Sequence, residues 1–254
     1  MDLDVPSATL AALLLASTRA TGFIVLAPPF NSNGIPRAVK GALALALALV
    51  AFPHITGLMP EITAGFLIVG AVTEAVIGAA LGFIVQVLFA AVQLAGDVID
   101  LAGGFSLQPA YDPMSLTTSG VIGKLHYLLA TTLLFTSGGH LLLVRGFVTS
   151  YEGLPVGGAL PTDQVASTLM TAFSMMFLAA IQIAGPMVAV LLLADVALAL
   201  LSKAAPALNI FAIGFPVKIM ITLTLLGLTF PLLPAAVDSL MDTALDAITS
   251  LRSG

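Results

Sequence analysis

The sequence predicts an all-α protein of the integral-membrane type, made of long kinked helices and helical hairpins. Three observations predict it. Hydrophobic residues make up 59% of the 254 and charged residues only 8%, for a mean hydropathy of +1.13, and a water-soluble domain has no use for so much apolar surface. The apolar residues fall in runs of the length that crosses a bilayer, where a helix needs about 20. Glycine and proline punctuate those runs from inside, which bends or breaks a helix within its span.

The first run, about Ala8 to Leu26, stops at APPFNSNGIPR, where Pro28, Pro29, Asn31, Gly34 and Pro36 cannot sustain a helix. The opening MDLDVPS puts Asp2 and Asp4 where a signal peptide would be basic, so a retained helix is expected. The second run, GALALALALVAF, covers Gly41 to Phe52, is short for a span, and closes at PHITGLMP. The third, from Ala64 to about Leu94, would be about 46 Å long as a helix, more than a bilayer core, so it must tilt, kink or leave the hydrocarbon. A fourth run, about Val121 to Val148, carries Gly138-Gly139-His140 and ends in the connector SYEGLPVGGALPTD. The fifth, about Val165 to Leu201, holds Gly185-Pro186, and the sixth, about Ala207 to Leu233, holds Gly214-Phe215-Pro216. Both predict kinks or breaks. After Pro234, an apolar stripe of Val237, Leu240, Met241, Ala244, Leu245 and Ile248 opposes Asp238, Asp242 and Asp246. That spacing predicts an amphipathic helix that packs on a partner or faces water.

Several function classes drop out. Eight Lys and Arg scattered through a chain of net charge −5 make no basic patch for nucleic acid. With no cysteine there is no disulfide or thiolate metal site, and three isolated histidines lack metal-ligand spacing. No GxSxG elbow, HExxH helix or GxxxxGK[ST] loop occurs. No catalytic residue, metal or cofactor is therefore assigned, and the chain reads as a non-enzyme.

Arg19, Glu74, Asp195 and Lys218 lie inside apolar runs. Such charges are costly and face protein or an aqueous path. Two readings stand side by side: a proton or ion relay through Glu74 and Asp195, as in a stand-alone secondary transporter, or salt bridges between helices or subunits. Gly78 and Gly82 form a GxxxG, which lets another helix approach closely. Between the third and fourth runs lies GGFSLQPAYDPMSLTTSG, Gly103 to Gly120, preceded by Asp97 and Asp100. A loop this long and polar in so apolar a chain is either a working part or a plain connector.

Five stretches, taken in order, carry a resemblance: APPF; IPRAVKGALALALAL; AGDVIDLAGGFSLQPAYDP; GGHLLLVRGFVTSYEGLPVG; and AGPMVAVLLLADVALALLSKAAPALNIFAIGFPVKI. Together they resemble the FliR family of flagellar export-gate subunits and the related SctT-type virulence-secretion subunits, from about residue 8 to about 233. The resemblance implies one export-gate subunit over residues 1–254: a FliP-like part to about 160, a FliQ-like helical hairpin over about 161–233, and the amphipathic tail 234–254. It implies a closed pore for unfolded flagellar proteins, assembled with FliP and FliQ and contacting FlhB, in the bacterial inner membrane at the flagellar basal body. Loop 105–120 would be its plug, with Phe105, Leu107, Tyr111 and Met114 as apolar bulk, Pro109 and Pro113 breaking regular structure, and Asp112 among them. Arg37, Arg145, Asp195, Lys203, Pro206, Asn209 and Lys218, with Gly78 and Gly82, would serve helix or subunit packing. The NSNG at Asn31 to Gly34 departs from the family pattern, and no family role is carried onto the acidic tail.

Overall fold

A computed structural model describes residues 7–55, 63–105, 120–158, 162–207 and 209–250. Among them it contains eight α-helices: α1 Ser7–Leu26, α2 Arg37–Ala51, α3 Ala64–Gly103, α4 Val121–Thr136, α5 Gly139–Gly153, α6 Thr162–Ala204, α7 Ile210–Thr229 and α8 Leu233–Ser250. Short 3-10 turns at Phe52–His54 and Phe230–Leu232 follow α2 and α7. The described residues include no strand. Five helical stretches are long and apolar enough to cross a membrane, and α4 with α5 adds a sixth if that bent pair is one span.

Hydroxyl side chains sit in these apolar helices without cost because each turns back onto its own helix. Ser17 and Thr18 donate to the Leu14 carbonyl, Thr21 to Ser17 and Thr222 to Lys218, all at 2.7–2.9 Å. In the turn after α1, Asn31 Nδ2 donates to the carbonyl of Leu26, and its own carbonyl accepts from Lys40 Nζ at 2.9 Å. The NSNG segment thus closes one helix and anchors the start of the next.

The chain forms two compact units, each assembled from separated segments. The first takes residues 1–88, 135–174 and 240–254; the second takes 89–134 and 175–239. In the first, the small face of α2 (Ala44, Ala48, Ala51) is buried while Leu45, Leu49 and Val50 point outward. Its centre holds Phe23, Phe147 and Tyr151, with ring centroids 5.1 Å apart for the first pair and 5.6 Å for the second. The second unit is built around Ala95, Ile99, Ile122, Ala180, Ala184, Met187 and Leu226.

Three expectations need correction. The third helix does not stop near Leu94 but runs nine residues further to Gly103. Asp97 and Asp100 interrupt the apolar pattern without interrupting the helix, because the Asp100 carboxylate finds backbone donors on α4. The fourth run is two helices, α4 and α5, rather than one. The break falls at Gly138, whose φ of +79° only glycine adopts freely. Of the kinks or breaks expected at Pro186 and Pro216, neither is a break: α6 and α7 are each one helix with its proline inside. Last, the tail helix does not reserve its apolar face for a partner or water. Val237, Leu240, Met241, Ala244 and Ile248 are buried in this chain, with Asp238, Asp242 and Asp246 exposed.

Candidate functional site

The base of the long loop is the most constrained polar place in the second unit. On its α3 side the helix ends at Gly103, and Gly104 turns the chain with φ +84°. A side chain at Gly103 would stand 2.7 Å from Thr222 Oγ1 on α7, and one at Gly104 3.3 Å from the Phe215 ring. Phe105 is half-buried against the core of this unit. On the other side α4 begins after Gly120. Its exposed backbone donors are met by a carboxylate from α3: Asp100 Oδ2 accepts from the N–H of Ile122 at 2.9 Å and of Gly123 at 3.0 Å. These are the second and third residues of the helix, the two groups that a capping side chain ordinarily satisfies. Asp100 is fully buried, so its charge is held by these bonds and by the positive end of the α4 dipole.

The glycines around it leave room for that contact. A Cβ on Gly120 would overlap the Asp100 carboxylate, and one on Gly123 would overlap that of Asp97. A Cβ on Gly96 would come within 2.6 Å of Gly123 Cα. His126, one turn further along α4, is buried with Nδ1 3.0 Å from the Ile122 carbonyl.

A second polar centre lies inside the first unit. Arg19 is fully buried and bonded in several directions. Its Nε donates to Glu74 Oε2 at 2.5 Å, and Nη2 donates to Glu74 Oε1 at 3.1 Å and to the Leu154 carbonyl at 2.8 Å. Nη1 reaches Ser150 Oγ at 3.4 Å, and the guanidinium lies 4.1 Å from the Tyr151 ring centre. Tyr151 donates to the Ala16 carbonyl, and Gly157 N–H donates to Glu74 Oε1 at 3.0 Å. Bidentate pairing with further hydrogen bonds is what makes a buried ion pair tolerable. The helices carrying it touch backbone to backbone. A Cβ on Gly78 would overlap the Arg19 carbonyl, one on Gly82 would lie 2.6 Å from that of Phe23, and one on Gly22 2.6 Å from that of Ala75.

The family model for bacterial export proteins, family 1, matches residues 10–244. The chain belongs to that family. Relatives include a flagellar biosynthetic protein FliR of Escherichia coli K12, 32% identical over 92% of this chain and 90% of the relative. The protein of the same name from Bacillus subtilis 168 is 30% identical over 94% of each. The surface presentation of antigens protein SpaR of Salmonella typhimurium LT2 is 29% identical over 87% of this chain and 86% of its own length.

In this family 1 export protein, the remaining sequence-assigned residues are dispersed. Lys218 Nζ meets Asp195 Oδ1 at 2.8 Å and Oδ2 at 3.0 Å, with the Asp195 side chain half exposed. Asn209 caps α7 by accepting from Ala212 N–H. Arg37, Arg145, Lys203 and Pro206 are exposed on the surface of the chain. Leu107, Pro109, Tyr111, Asp112, Pro113 and Met114 lie outside the described residues. Sequence reasoning assigned no role to Asp100, Gly120, Gly123, Thr222 or Tyr151. The available signal was a pair of carboxylates one turn apart just before a loop, with glycines spaced three apart just after it.

Proposed function

We propose that this chain is a non-enzymatic, cofactor-free subunit of the flagellar type III protein export gate. It would sit in the bacterial inner membrane at the flagellar basal body. With FliP and FliQ, and in contact with FlhB, it forms the closed pore through which unfolded flagellar proteins leave. Loop 105–120 is its plug, with Phe105, Leu107, Pro109, Tyr111, Asp112, Pro113 and Met114 as the blocking residues. Residues 1–160 supply a FliP-like part and 161–233 a FliQ-like hairpin. The observation that carries this reading is the family match over residues 10–244 together with relatives named for flagellar biosynthesis.

Two structural observations support it. First, α6 leaves most of its apolar side chains uncovered. Met170, Phe177, Ile181, Leu192, Leu193, Val196 and Leu200 are each more than half exposed, which requires lipid or other subunits around them. Second, the intramembrane acids are committed to partners in the same chain, Glu74 to Arg19 and Asp195 to Lys218. A transporter that loads protons or ions on those two acids would have to break these pairs at each cycle.

Two experiments test the proposal. Affinity purification of the tagged chain from cells expressing FliP, FliQ and FlhB should recover FliP and FliQ in fixed ratio; recovery of the chain alone would remove the assembly reading. Deleting Leu107 to Thr118 should produce ion leak across the inner membrane while the complex still assembles. An assembled deletion complex that does not leak would reduce the loop to a connector.

A further inference from the structure

We infer that Asp100 is the positioning residue of the plug: a carboxylate from the helix that enters the loop caps the helix that leaves it, and so fastens the two ends of the loop together. The inference rests on the plug reading above for its functional meaning, but its structural content is independent of that reading.

The capping residue of a helix is normally Ser, Thr, Asp or Asn at the position before the first turn. Here that position is Gly120, which has no side chain to offer. The two donors it would have served are taken by Asp100, more than twenty positions earlier in the chain. Gly120 itself leaves the space the carboxylate fills, since a Cβ there would overlap it. A cap supplied within the helix would hold only that helix. This cap joins α3 to α4, so it closes the loop at its root. Three further close approaches tighten the same root: Gly96 on Gly123, Gly103 on Thr222, and Gly104 on Phe215.

A plug needs a fixed root and a deformable body. If its two ends could separate, the segment between them could be dragged through the pore by the first chain that pushed on it. Fastening the ends by one buried carboxylate holds the end of α3 and the start of α4 at a fixed separation. The clasp also carries its own weakness. Asp100 Oδ1 and His126 Nε2 are buried without a hydrogen-bond partner among the described residues, which offsets part of what the two charged bonds gain.

The test uses the assembled gate. The chain has no cysteine, so Leu101→Cys and Val121→Cys, both well exposed, take spin labels at the two ends of the loop. Dipolar EPR should read one narrow spacing with Asp100 in place. In Asp100→Ala the equilibrium for opening the root should rise about 5- to 30-fold, the effect of losing a helix cap, and the spacing should broaden. Asp100→Asn keeps an acceptor oxygen and should largely retain the narrow spacing, whereas Asp100→Leu fills the space without an acceptor and should broaden it, which a merely space-filling role would not do. Gly120→Ala should broaden the spacing although Asp100 is intact. A narrow spacing in an assembled Asp100→Ala gate overturns the inference. If that variant does not assemble, Gly120→Ala decides in its place, and an unchanged spacing there overturns it equally. Ion leak separates the two proposals: broadening with leak supports both, and broadening without leak leaves the clasp standing and removes the plug.

Discussion

Replacing Glu74 with Gln removes one charge from a pair in which both side chains are fully buried. The substitution keeps the shape and one acceptor oxygen, so volume and packing are not at issue. What changes is the environment of Arg19, whose buried guanidinium is left without a counter-charge. The Gln amide group also places a donor where Arg19 Nε or the Gly157 N–H now finds an acceptor. Leaving one partner of a buried pair uncompensated costs about 3–5 kcal/mol, a loss of roughly two to three and a half powers of ten in folding equilibrium. The companion variant Arg19→Met with Glu74→Leu removes both charges. It should recover most of that loss, because neither ion need then be desolvated. It should still fall short of wild type by about 1–3 kcal/mol, since the Gly157 N–H and the Leu154 carbonyl lose their partners. Denaturant unfolding in mild detergent, read by circular dichroism on the wild type, the three single variants and the double, gives the coupling energy directly. Export in a strain lacking the chromosomal copy of the subunit gives the functional column. The structural reading expects export to follow stability in all five proteins. A Glu74→Gln protein as stable as wild type but dead in export, with no recovery in the double variant, would refute it and return Glu74 to the relay reading.

The other expectations are smaller. Gly78→Ala should destabilise the first unit severely, because the new methyl overlaps the Arg19 carbonyl, whereas Gly41→Ala, with open space around it, should be neutral or stabilising by about 0.5–1 kcal/mol; thermal unfolding of the two variants side by side checks the contrast. Met241→Asp should lower stability by more than 2 kcal/mol by burying a charge, roughly the scale of a disrupted core site, while Asp242→Asn on the exposed face should change it by less than about 0.5 kcal/mol. Asp195→Asn should cost about 0–1 kcal/mol in the isolated chain, since that carboxylate is half in solvent, and should lower the yield of assembled complex more than it lowers the stability of the chain alone.

How far the sequence reached depended on whether a signal was local. Run lengths located α1, α3, α6 and α7 because an apolar helix is written in consecutive residues. The amphipathic period from Val237 to Ile248 located α8 for the same reason, but not what its stripe would meet, since Gly146 lies about a hundred residues away and receives Leu245 and Ile248. The GxxxG at Gly78 and Gly82 marked a close approach without naming its partner. Glycine and proline marked kinks or breaks without ranking them: Pro186 and Pro216 lie within continuous helices, whereas the chain breaks at Gly138, where the backbone needs a positive φ. The apolar run gave out near Leu94, and nothing local showed that the helix continues through Asp97 and Asp100. The Asp100 carboxylate finds donors on a helix that starts twenty-one residues later, a relation no window of local pattern contains.

The polar groups of this chain divide by what they can do alone. Arg19 and Glu74 neutralise each other inside the first unit, Asp100 Oδ2 accepts from the α4 terminus inside the second, and helical hydroxyls return to their own carbonyls. On α6 the half-exposed Asp195, which Lys218 holds, lies among large apolar side chains that are uncovered. A lipid-facing helix gains nothing from such a pair and would be more stable with two leucines, because desolvating an ion pair in hydrocarbon costs more than the attraction returns. A protein-facing helix can use it, since a neighbouring backbone or side chain can donate to the free side of Asp195. The pair is therefore expected at an edge of α6 and α7 that another subunit would cover. Asp195→Leu with Lys218→Leu separates the two cases. If that edge faces lipid, the double variant should assemble as well as wild type; if it faces a subunit, assembly should fall while the isolated chain keeps its stability.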